Sequence, residues 1–270
     1  MTLSSILVLF LTHLGIGLAF TLLFVSREAG VKFFRFNTGL AALLVAIGLA
    51  FRQTPTSNTL SIITTTALGL TGLALVVYWA TVGRMWVTIR PWLLPGAAVC
   101  GTIAIVGQAL EIQPQGAIPP SLTTGLIIAS FLSSAALLGG TCGAMILGHW
   151  YLVIPSMNVS HLQAITKLHI ASMIIRIVIV TTVVFLAIVS WQPGMGPSFE
   201  RYILSTSGIF FWQRVLFGLV GPLVLSYLTW ETAKIQSTQS ATGILYVDFF
   251  TVVVGEVLAK YLLLSTSVPV

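Results

Sequence analysis

The chain has 270 residues, of which 57% are hydrophobic and only 7% charged, with a mean hydropathy of +1.03. A soluble domain carries roughly 25% charged residues to face water, so this composition excludes a water-exposed globule and leaves lipid as the solvent. The formal net charge of +6 is scattered one residue at a time without a basic run, which excludes nucleic acid as the partner and leaves membrane lipid.

In hydrocarbon every backbone polar group needs an internal partner, so only helices or a closed barrel can cross. The apolar runs are long and continuous rather than alternating, which predicts an all-α, polytopic integral membrane protein. About eight transmembrane helices are expected in a bundle, at 3–25, 34–51, 60–82, 91–109, 122–148, 163–190, 204–229 and 240–264. The first run lacks a basic leader and a small-residue cleavage site, so it is expected to be a retained helix. The sixth is expected to be overlong, and to tilt or project beyond the membrane. Proline-rich breaks fall at Glu111–Pro120 and Gln192–Pro197. No linker has room for a second soluble domain, so residues 1–270 are read as a single transmembrane helical domain.

Basic residues set the expected orientation. Arg27, Lys32, Arg35, Arg84, Arg90, Lys167 and Lys234 fall in one set of loops, and only Arg52 and Arg201 in the other. Both termini are therefore expected on the non-cytoplasmic side of a bacterial inner membrane. Trp79, Trp86, Trp92, Trp150, Trp191 and Trp230 fall near predicted span ends, where an interfacial belt belongs. Cys100 and Cys142 lie inside spans and read as small packing residues. Gly139, Gly140 and Gly143 read as close-packing positions.

The informative residues are the ionisable ones inside the spans: His13, His169, Arg176, Arg214, Asp248, Glu256 and Lys260. Each ionised group at the bilayer centre costs about 2.5–3.5 kcal/mol on insertion scales. Such a set persists if its members pair, line a wet cavity or face a partner. His169 and Arg176, seven apart, share a helix face with Ser172 and Met173. Glu256 and Lys260 are an i, i+4 pair in the favourable order, and their charges can largely cancel in place. The structural reading makes this pair a helix pin, the arginines ligands of backbone carbonyls or lipid headgroups, His149 an interfacial anchor and His161 a loop residue. No phosphate loop, metal-spaced cysteine pair, His-Glu-x-x-His or Gly-x-Ser-x-Gly occurs, which argues against a self-contained hydrolase or nucleotide-driven pump.

The last span contains Gly255-Glu256-Val257-Leu258-Ala259-Lys260. This Gly-Glu-x-x-small-basic pattern resembles the last helix of the membrane-anchor subunits of dimethyl sulfoxide reductase-type complexes. Their relatives include the polysulfide reductase and formate-dependent nitrite reductase anchors. Leu9–Gly17, with His13 at its centre, is loosely similar to that family's opening helix. The resemblance implies eight spans with both termini outside the cytoplasm, a quinol site in the membrane, and electron transfer to an attached iron–sulfur subunit. It implicates Glu256 and Lys260. The sequence departs where the family has arginine, because lysine cannot form a bidentate fork, and Leu262 and Leu263 replace an expected aromatic pair.

The leading expectation is a quinone-interacting subunit of a respiratory or other electron-transport complex, anchoring peripheral redox subunits and not an enzyme by itself. A quinone, menaquinone or ubiquinone, needs an apolar slot, a donor at each carbonyl and a titratable relay. His13 or His169 would donate, Arg176 or Arg214 would stabilise negative charge on the ring, and Glu256 or Asp248 would carry protons. One alternative is a membrane cytochrome with a b-type haem between His149 and His169. Others are a proton or solute transporter with Arg176, Arg214, Asp248 and Glu256 as its pathway and a structural scaffold that anchors cytochromes or a photosynthetic or respiratory core.

Overall fold

The computed structural model describes residues 3–53, 58–84, 88–113, 118–154, 157–193 and 198–270. Among them there is no strand, and the chain is all-helical. The helices are α1 (Leu3–Thr21), α2 (Gly30–Phe51), α3 (Thr59–Thr81), α4 (Arg90–Leu110), α5 (Pro120–Val153), α6 (Ser160–Val189), α7 (Phe199–Ile203), α8 (Ile209–Val215), α9 (Gly221–Lys234) and α10 (Thr238–Thr266).

Seven helical segments among the described residues are long and apolar enough to cross a membrane, ending with Thr206–Lys234. The eighth expected span is the 29-residue α10, whose buried face carries Asp248, Glu256 and Lys260; it is not among the seven. Helix α6 has 30 residues, overlong for a crossing as expected, and α5 is longer still at 34. One further expectation is corrected. The seventh span is not one continuous α-helix, because α8 passes through a π-helical segment, Leu216–Val220, into α9. Pro222 at the start of α9 supplies no N–H to the carbonyl four residues earlier, so the ladder must widen there. The expected breaks at 111–120 and 192–197 are described only in part, because 114–117 and 194–197 lie outside the described residues.

Side chains are distributed as lipid demands. Phe250, Val99 and Leu73 point outward at 60–64% exposure, whereas Glu256, Arg214 and Asp248 are 0% exposed. Many buried hydroxyls are satisfied within their own helix: Thr71 donates to the Ala67 carbonyl (2.8 Å) and Thr166 to that of Leu162 (2.9 Å).

The centre of the bundle is α1, α5 and α10. Helix α1 packs on α2, α4 and α5 and touches α10, and α5 packs on α6 and α10. Small residues permit this. A Cβ on Gly17 would overlap the backbone of Ala135, one on Gly139 would overlap the backbone of Gly17, and Gly143 receives Thr21. At the other seam, Gly218 of the π segment lies against Gly255 of α10.

The two ends differ in charge. At one, the Trp150 indole donates to the Ala29 carbonyl (3.0 Å), Arg35 stacks on Trp79, and Lys167 and Lys234 flank Trp230. His161 is the first-turn residue of α6, not a loop residue, and its Nε2 meets Glu28 at 2.7 Å. The opposite end holds Arg52, paired with Glu111 at 2.5 Å. Trp86 lies outside the described residues.

Candidate functional site

Helices α5, α6, α8 and α10 converge on the carboxylate of Glu256. From α6, Arg176 donates through Nε to Oε1 (3.0 Å) and through Nη2 to Oε2 (3.2 Å), a two-point fork. From α8, Arg214 Nη2 donates to Oε1 at 2.9 Å. Lys260, one turn along α10, stands 3.5 Å from Oε2 and donates instead to Ser134 Oγ at 2.8 Å. The i, i+4 pair expected to cancel itself is therefore the loosest of three ion pairs. Two arginines from other helices take up the carboxylate first, because a guanidinium fork aligns with both oxygens and an ammonium cannot.

Helix α5 supplies the remaining acceptors. Arg176 Nη1 donates to the Ser130 carbonyl (3.0 Å) and hydroxyl (2.7 Å), with Ser133 Oγ at 3.4 Å. Arg176 Nη2 also approaches the Val270 carbonyl at 3.5 Å. Ser130, Ser133 and Ser134 were not singled out in the sequence, because uncharged hydroxyls are common in spans. The signal lay in their i, i+3, i+4 spacing, which places all three on one face of α5.

Counting side chains, three cations and one carboxylate leave a formal excess of two positive charges in a site no more than 3% exposed. Arg214 Nε and Nη1 have no hydrogen-bond partner among the described residues. His13 of α1 belongs to the same neighbourhood. It is fully buried, lies edge-on to Phe131 at 4.8 Å, and is within electrostatic reach of Lys260, Glu256 and Arg176. Neither of its ring nitrogens has an aligned hydrogen bond among the described residues. Five of the seven expected residues thus gather in one place.

The other two form a separate site. His169 Nε2 lies 2.7 Å from Asp248 Oδ2, and its Nδ1 lies 3.1 Å from the Thr141 hydroxyl. The contact is close, but neither His169 Nε2 nor either Asp248 oxygen is in an aligned hydrogen bond among the described residues. Eight residues separate Asp248 from Glu256, about 12 Å along α10. The expectation of one polar pocket therefore resolves into two sites on one helix face.

Two spaces adjoin the Glu256 cluster. One is a void of about 10 Å³ between Ser130, Ser134, Arg176 and Lys260, enough for about one water. The other is an apolar groove of about 450 Å³ walled by α1, α4, α5 and α6, with Ile16, Phe20, Ile105, Leu132 and Ile179 among its lining. Ser133 links the groove to the cluster, lining the groove and accepting from Arg176. The groove suits a flat apolar ring with a tail in lipid, and the void does not. A haem fits less well, because both ring nitrogens of His169 already face other groups, Nδ1 the Thr141 hydroxyl and Nε2 the Asp248 carboxylate. Among the described residues no group of three His, Cys, Asp or Glu side chains could hold a metal ion.

No family model matches the chain, and no curated protein or solved structure is similar to it.

Proposed function

We propose that the chain is an eight-span membrane subunit that binds a quinone, menaquinone or ubiquinone, and anchors an electron-transferring iron–sulfur or cytochrome chain. The observation that carries this reading is the excess positive charge of the Glu256 cluster directly behind an apolar groove. A quinol supplies two electrons and two protons as it becomes a quinone, the electrons passing to the attached redox chain. The residues of this chain would hold the ring in the groove, with one ring oxygen at Ser133 and the arginines behind it favouring negative charge there. Asp248 and His169, displaced along the same helix, would carry protons toward the basic end.

The eighth crossing is α10, whose ionisable side chains are turned inward and whose outer face offers Val247, Phe250 and Val257 to lipid. The resemblance of its Gly-Glu-x-x-small-basic pattern to the anchor subunits supports the same reading.

A photoreactive quinone added to the purified complex is expected to label α1, α5 or α6 around the groove. Ala136→Phe, which fills the groove without touching the ion pairs, is expected to abolish labelling and quinol-dependent electron transfer together. Labelling that ignores Ala136→Phe would remove the reading. A scaffold alone is the second reading, favoured by the number of contacts the cluster makes to its own helices. It predicts partner chains that co-purify equally well with and without the groove filled, and no labelling at all.

A further inference from the structure

A second cavity, of about 480 Å³, opens at the basic end of the bundle between the α1–α2 connection, the end of α3 and the start of α4. Its chemistry is divided. Arg27 and Arg90 stand on its rim, and Leu22, Phe34, Val82 and Leu94 form its apolar interior. Tyr78 also lines it, within electrostatic reach of both arginines. Neither Arg27 nor Arg90 forms an ion pair among the described residues, although Arg52, Arg176 and Arg214 all do.

The cavity is built differently from the groove beside Glu256. Pro91 and Pro95 both line it. Proline at 95 brings no N–H to the Pro91 carbonyl, so the ordinary helical bond is missing in the first turns of α4. Interfacial aromatics flank the same end, with Trp92 exposed beside Pro91 and Trp79 under Arg35, a belt that marks headgroup depth.

We propose that this cavity binds one anionic phospholipid, its phosphate between Arg27 and Arg90 and its acyl chains along the apolar interior. A soluble anion would be served by the arginines but not by the apolar walls. A zwitterionic lipid would bring its own cation to a rim already positive. A lipid with hydroxyls beyond its phosphate, such as phosphatidylglycerol, also meets Tyr78. The site lies at the other end of α1 from Ser4 and Arg52 and is independent of the quinone reading. Basic pockets between helices at this depth bind anionic headgroups for the same electrostatic reason.

The test uses the full chain in neutral detergent, titrated with phosphatidylglycerol or with phosphatidylcholine of the same acyl chains. Bound lipid is counted by native mass spectrometry. Phosphatidylglycerol is expected to bind about thirtyfold more tightly, two arginines' worth of headgroup attraction. The pair Arg27→Gln and Arg90→Gln should erase that preference. Lys32→Gln with Arg84→Gln removes the same charge from exposed positions at the same end and should leave it intact. Equal binding of the two lipids to the unaltered chain overturns the proposal whether or not the variants fold. So does equal loss in the control pair, or full displacement of the lipid by excess inorganic phosphate, which would make the site one for a free anion.

Discussion

Glu256 is the one acid among three buried cations, so substitutions around it are not symmetric. Removing the carboxylate leaves Arg176, Arg214 and Lys260 facing one another, and breaking a buried pair in this way costs about 3–5 kcal/mol. Glu256→Ala is therefore expected to lower stability by that order in equilibrium unfolding from mild detergent. Lys260→Met does the opposite to the charge balance, taking away one of the two excess positive charges, while Ser134 keeps the Glu256 carboxylate as a partner. Its expected effect lies within about 1 kcal/mol of zero. If Lys260→Met proved as damaging as Glu256→Ala, the cluster would be balanced by something other than the contacts described. Arg176→Lys should sit between them, because it keeps the charge and loses the fork.

Glycine spacing governs how the elements pack. The α1–α5 seam has backbone against backbone at Gly17 and Gly139, while Gly125 on the same helix α5 faces open space. Gly139→Val is expected to destabilise by about 3 kcal/mol through forced separation of the helices, read as a fall in melting temperature. Gly125→Val should stay within about 0.5 kcal/mol of the parent. Equal effects would mean that helix propensity, not close approach, sets the cost. The π segment works on a similar scale. Leu216–Val220 begins two residues after Arg214 and brings Gly218 against Gly255, so the widened turn lets one helix deliver both a guanidinium and a flat contact to α10.

For the molecule as a whole, the charge asymmetry of its two ends makes a topological prediction. With α10 crossing, an even number of spans places both termini on one side, and the positive-inside rule makes that side non-cytoplasmic. Reporter fusions at the N-terminus and after Val270 should both report export: active alkaline phosphatase, dark green fluorescent protein. Opposite results at the two termini would mean that α10 does not cross.

Helix existence and the inward set of charges were legible from residues alone. In lipid every polar group must be satisfied internally, so runs of apolar side chains and rare ionisable ones among them carry the signal by themselves. The shared face of His169, Ser172, Met173 and Arg176 was legible for the same reason, since helical periodicity is local. The partners were not. Glu256 and Lys260 are neighbours in sequence, yet the carboxylate goes to Arg176 and Arg214, 80 and 42 residues away. Asp248 looks like a member of the same set until α5, which packs on both α6 and α10, brings it to His169 instead. Ser133 gains its place between groove and cluster only because Gly17 and Gly139 let α1 and α5 touch. Composition and period decided which side chains must turn inward; which of them meet was decided by helix contacts far apart along the chain, because pairing depends on distances that no single helix contains.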